Sequence, residues 1–130
     1  MLGCKPQPKP EPLQREDICV VCKMAVSDQR FAAQAILPNG EYVKYDDIGC
    51  LIEDKNRAQP NRVWVGVFDT KQWVRGDSAV FVATAGVRTP MGFGFLAFAT
   101  KQQAEQLLAK HGGKIITWSE LVAKSAYDPR

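Results

Sequence analysis

The stretch RFAAQAILPNGEYVKY, Arg30–Tyr45, decides how this chain folds. Its first half places Phe31, Ala33, Ala35 and Leu37 on one face of a strand. Glu41–Tyr45 returns as a second strand, with Tyr42 and Lys44 on one side and Val43 and Tyr45 on the other. The Asn39-Gly40 step between two apolar runs is the strongest short hairpin signal, because both residues tolerate a left-handed backbone. Toward the C-terminus, Asp46 or Asp47 offers an N-cap for a helix whose apolar stripe is Ile48, Leu51 and Ile52. Pro60 forbids its continuation, and Arg62–Phe68 (RVWVGVF) has the near-continuous β-branched and aromatic character of a buried strand.

The order strand, strand, helix, strand then recurs roughly fifty residues later. Ala79–Thr84 and Gly92–Ala99 read as strands. Thr100 with Gln103 forms a capping box, Ala104, Leu107 and Leu108 mark the buried face of the helix, and Gly112-Gly113 ends it. Lys114–Trp118 supplies the third strand and Ser119 caps a short final helix. The expectation is an α+β fold of two similar small ββαβ units packed together, residues 18–75 and 76–130. Ahead of them, residues 1–17 hold Pro6, Pro8, Pro10 and Pro12 among polar residues, the composition of a disordered, extended tether. The same elements would also serve one continuous six-stranded α+β sheet.

Composition removes several function classes. The net charge is +3, with basic and acidic residues interleaved, so no nucleic-acid footprint is present. No apolar run reaches the length of a membrane span. His111, the one histidine, makes a multi-histidine metal centre or a hydrolase triad implausible, and no nucleophile–base arrangement is legible. The reading is therefore non-enzymatic.

What remains is sulfur. Cys19-Val20-Val21-Cys22-Lys23-Met24 gathers two thiols and a thioether from a chain with four cysteines and three methionines, and soft donors of this kind select monovalent copper. A Cys-x-x-Cys spacing by itself also suits a dithiol oxidoreductase or half a zinc site. An oxidoreductase pair opens a helix, whereas here a loop follows, and a zinc site needs a second Cys/His pair. If the segment is extended, Cys22 and Met24 point to the same side, which favours them over Cys19 with Cys22. Met91, between Pro90 and Gly92, is an accessible loop methionine and the third candidate. Cys19 and His111 are further candidates. Cys50 falls off the helical stripe and reads as a structural thiol, and Asp46 and Asp47 read as caps. Leu2-Gly3-Cys4 resembles the end of a bacterial lipobox, making Cys4 the expected lipidation site.

Taken together, Cys4, the block Glu16–Met24, Tyr45-Asp46-Asp47-Ile48-Gly49-Cys50 and Thr89-Pro90-Met91-Gly92 resemble NosL, the family of copper-binding lipoproteins that accompany nitrous oxide reductase. The resemblance implies two related ββαβ units, similar to the core of organomercurial lyase, and one Cu(I) per chain. It implies Cys22, Met24 and Met91 as ligands, with Lys23 where many relatives have glycine. It further implies a periplasmic protein anchored through lipid on Cys4, the membrane expected being the outer one. The expected partner is the periplasmic subunit of an ABC-type complex that matures nitrous oxide reductase. The alternative from another class is a thiol–disulfide oxidoreductase working through Cys19 and Cys22; a lipoprotein adaptor without metal is a third.

Overall fold

The computed structural model describes residues 8–127, so Cys4 lies outside the described residues. The elements are β1 (Ala33–Ile36), β2 (Tyr42–Tyr45), α1 (Ile48–Glu53), a 3-10 turn at Pro60–Arg62, β3 (Val63–Gly66) and β4 (Trp73–Arg75). Then come β5 (Val80–Ala83), β6 (Phe95–Phe98), α2 (Lys101–His111), β7 (Lys114–Ile116) and α3 (Trp118–Tyr127). They form two antiparallel sheets, ordered β2-β1-β3-β4 and β6-β5-β7, not one continuous sheet. In each, the first strand of the unit is central, flanked by its hairpin partner and by the strand that follows the helix. The edge strand β4 and the long α3 are additions.

The hairpin closes through a three-residue loop. Gly40 N–H donates to Leu37 O at 2.8 Å and Leu37 N–H to Glu41 O at 2.8 Å, with Gly40 at φ 88°. Pro38 thus opens a type I turn and Gly40 takes the left-handed position after it. The β6 strand begins later than expected, because Gly92 and Gly94 adopt φ of 80° and 78° and belong to the preceding loop. The final helix is capped by Thr117 rather than Ser119. Thr117 Oγ1 accepts from Glu120 N–H at 3.1 Å and Glu120 Oε1 accepts from Thr117 N–H at 2.8 Å, a reciprocal capping box. At Thr100 only half of that motif forms: its hydroxyl accepts from Gln103 N–H, while Gln103 Oε1 is buried without a partner.

The second sheet is buried on both faces, which explains its unbroken apolar strands. Val82, Leu96 and Phe98 face Ala104 and Leu107 of α2. Phe81, Phe95, Ala97 and Ile116 join Ile48, Leu51 and Ile52 of α1, Val63 and Val65 of β3 and Leu121 of α3 in the main core. Each fully buried side chain of this size contributes about 1.5–3 kcal/mol. Phe68 N–H donates to Ala97 O at 2.9 Å, stitching the two units together just past β3.

The proline-rich segment is held down from Lys9 onward, contrary to the expectation of a loose tail. The buried Gln34 amide brackets Glu11, accepting from its N–H at 3.0 Å and donating to its carbonyl at 2.9 Å. Tyr42 Oη donates to Lys9 O, and the buried Lys44 ammonium reaches Glu11 Oε2 at 2.6 Å and Asp17 Oδ2 at 3.2 Å. These contacts run from the tail directly into the Cys19 loop, because Val20 N–H donates to Lys44 O at 3.0 Å.

Candidate metal centre

Three cysteine sulfurs converge. The Sγ atoms of Cys19, Cys22 and Cys50 all lie within 4.8 Å of one another. Metal–thiolate bonds of about 2.3 Å place three coplanar sulfurs about 4 Å apart, so the cluster is within a small contraction of a trigonal site.

Two elements deliver these sulfurs. Residues 19–24 form a tight turn, not an extended strand: Cys19 N–H donates to Met24 O at 2.8 Å, and Lys23 N–H to Cys19 O at 3.0 Å. Lys23 stands at φ 67°, a left-handed conformation that costs a non-glycine residue about 1 kcal/mol. Its ammonium in turn donates to Val20 O at 2.9 Å. The turn brings Cys22 back over Cys19, and Cys22 N–H donates to Cys19 Sγ at 3.3 Å. The alternation argument for Cys22 with Met24 therefore does not apply, and Cys19 moves from the margin to the middle of the cluster. Cys50 comes from α1. Every residue of this helix from Ile48 to Ile52 is buried, so lying off the apolar stripe does not place Cys50 outside the core. Its sulfur lies with those of Cys19 and Cys22.

The electrostatics divide the three thiols. Cys19 is fully buried, yet its pKa falls to about 4, chiefly because Cys50 donates its S–H to the thiolate and backbone N–H groups of Cys22, Asp46 and Val21 add to that. Cys50 is raised by the same contact, which holds its proton, and by burial. Cys22 is raised first by burial, with Cys19 adding to the rise. The Asp46 carboxyl is likewise pushed up by burial and by the neighbouring Cys19 charge. The centre is thus a Cys19 thiolate beside two thiols, Cys50 donating to it and Cys22 holding its own proton.

Met24 and Met91 are 56% and 44% exposed, on the two loops that flank α1. Asp47 links the Met91 loop to the helix. One carboxylate oxygen caps α1 at Gly49 N–H and the other accepts from Met91 N–H, each at 2.9 Å. Phe93 from the same loop packs directly on Gly49, where a Cβ would stand 1.9 Å from the ring. Asp47 is therefore more than a cap, and nothing in its local sequence signals the second bond. His111 does not join the cysteines; it is exposed at the end of α2, lining a separate cavity in the second unit.

A comparison with curated proteins gives no match. Among solved structures, the chain is similar to the crystal structure of the copper chaperone NosL from Shewanella denitrificans. The TM-score is 0.74 at 16% identity, covering 89% of this chain and 96% of that one. At this identity the match shows a shared fold. The NosL family model matches residues 10–126, nearly the whole described chain, and the protein belongs to the NosL family.

Proposed function

We infer that this protein is a periplasmic Cu(I) metallochaperone, a carrier rather than an enzyme, that supplies copper for assembly of the copper centres of nitrous oxide reductase. The observation that carries the reading is the convergence of Cys19, Cys22 and Cys50 within 4.8 Å. A thiolate with adjacent thiols and thioethers is a soft donor set that favours monovalent copper over harder cations. Zinc would require a fourth nitrogen or sulfur ligand in a closed tetrahedron. The solved relative's description as a copper chaperone supports the same reading.

In this proposal Cys22 is the central ligand, joined by Cys19 or Cys50 from within and by Met24 or Met91 from the rim. Copper is cargo, one ion per chain, and leaves by stepwise exchange to sulfur or imidazole donors of a receiving subunit in an ABC-type complex. Lipid on Cys4 would keep the carrier at the outer membrane, with the residues ahead of Lys9 as tether.

The dithiol oxidoreductase reading fares poorly on the geometry. Exchange requires the low-pKa thiolate to reach a partner disulfide. Here the low-pKa thiol, Cys19, is sealed in the core, while the more accessible Cys22 is the one whose pKa is raised. Anaerobic titration with Cu(I) against a competing chelator tests the proposal, using wild type, Cys22→Ser, Met24→Ala and Met91→Ala. Wild type should take up one equivalent, lost in Cys22→Ser and weakened by roughly tenfold or more when either exposed thioether is removed. Uptake unaffected by Cys22→Ser would overturn it.

A further inference from the structure

The second unit holds a cavity of about 910 Å³ that the sulfur cluster does not use. Its floor exists because glycines permit close approach. A Cβ on Gly86 would meet His111 O at 2.4 Å, one on Gly94 would meet Thr84 O at 2.4 Å, and one on Gly113 would meet Ala83 O at 2.4 Å. Phe93, Phe95 and Val87 supply apolar wall. Arg88, His111 and Lys114 bring basic side chains to the lining, and no carboxylate is among its residues. None of these three forms an ion pair among the described residues.

We propose that this cavity binds an organic carboxylate, its acid group on Arg88 and Lys114 and its apolar body against Phe93 and Phe95. Charge selects an anion, since Arg88 and Lys114 line the concavity and no carboxylate does. The donors distinguish carboxylate from phosphate. Phosphate sites draw on clusters of backbone N–H groups. Three of the loop N–H groups are committed here: Gly86 to Thr84 Oγ1 at 3.0 Å, Gly94 to Thr89 Oγ1 at 3.1 Å and Gly92 to Thr89 O at 3.0 Å. The side chains add a guanidinium fork and an ammonium, matched to the two oxygens of a carboxylate. The carboxylate can belong to a free small acid or to an acidic side chain of a protein segment.

The test is a titration of the metal-free ¹⁵N-labelled chain, followed by amide NMR, with 3-phenylpropionate, with a blocked peptide alternating glutamate and leucine, and with inorganic phosphate. Saturable shifts at Gly86, Gly94, Gly113 and Lys114 with one of the first two, and weaker shifts with phosphate, are expected. Saturation by phenylpropionate points to a free acid, and tighter saturation by the peptide to a protein segment. Arg88→Gln and Lys114→Gln should each weaken binding by roughly tenfold or more. Both side chains are exposed, and an otherwise unchanged spectrum confirms that the variants fold. Absence of saturable shifts, phosphate binding as tightly as the carboxylates, or unaltered affinity in the double variant would overturn the assignment.

Discussion

Cys50→Ala tests whether the three thiols act as a unit. Cys50 is 1% exposed, so the substitution removes one sulfur from packed surroundings and introduces no polar atom. The structural cost should be small, about 1 kcal/mol for a deletion of this size, and the helix keeps its Asp47 cap. The chemical effect should be larger. The Cys50 contact is the foremost cause lowering the Cys19 pKa from 9.0 to about 4. Without it, burial is opposed only by backbone N–H donors, and the pKa must climb, each unit representing about 1.36 kcal/mol. A depressed pKa means the thiolate is present above that value and lost as pH falls through it. Ultraviolet thiolate absorbance of the metal-free protein should therefore show one thiolate persisting down to about pH 4 in wild type, and disappearing at distinctly higher pH in the variant. Loss of one of three converging donors should also lower Cu(I) affinity by roughly a hundredfold or more, about 2.8 kcal/mol. A variant that binds copper as tightly as wild type and titrates at the same pH would show that Cys50 is mere packing.

Three further outcomes follow from the same geometry. At neutral pH Cys19 is ionised while Cys22 and Cys50 hold their protons, so Cu(I) loading in weak buffer should release two protons per ion if both ligate and one if only Cys22 does; release of none would remove Cys22 and Cys50 from the ligand set. Asp47→Ala deletes the α1 cap and the bond to Met91 N–H, and should cost about 2–3 kcal/mol in denaturant unfolding and reduce copper affinity as well, whereas loss of stability alone would detach the Met91 loop from the site. Gly49→Ala places a methyl group into the Phe93 ring and should destabilise by about 1–3 kcal/mol, seen as a lowered thermal midpoint; an unchanged midpoint would mean that the ring moves away freely.

The fold was largely legible because its signals are local. The Asn39-Gly40 hairpin, the Asp47 cap, the apolar runs around Val65, Phe81 and Leu96 and the Gly112 stop each occupy one short stretch, and local preference agrees with the final packing. Trp73–Arg75 was not legible as a strand, since three residues at a sheet edge bury too little to leave a pattern. The site was half legible, for two reasons. Nothing about a lysine announces a left-handed φ, so the turn at Lys23 that folds Cys22 back over Cys19 leaves no trace in residue type. Stripe logic also assumes a helix with one exposed face, and α1 is wrapped almost completely by β1, β2, β6 and α3. The usable signal was Gly49 beside Cys50: a glycine inside so short a helix implies close approach by another element, and therefore a buried neighbour.

The arrangement also bears on how a bound ion would leave. The sulfurs form a gradient, with Cys19 and Cys50 sealed, Cys22 half-buried, and Met24 and Met91 open to solvent. The inner thiolate holds charge that would attract Cu(I), while the outer thioethers are neutral, weaker donors that a partner's ligands can displace. Around them Ile18, Val20 and Val21 complete the set of exposed large apolar side chains among the described residues, all on the Cys19 loop and its flank except for Met91. Exposed apolar surface concentrated at the mouth of a site marks where another protein can exclude water during exchange. The second unit meets α1 through the Met91 N–H, held by Asp47, and through the Phe93 ring on Gly49. If Asp47 releases Met91 N–H, or Phe93 lifts from Gly49, the proposed outer ligand Met91 would be withdrawn while the three thiols stay in place. The proposed transfer would then require motion of a loop and not of the core, which agrees with a short α1 buried from Ile48 to Ile52 and a Met91 loop with Gly92 and Gly94 at positive φ.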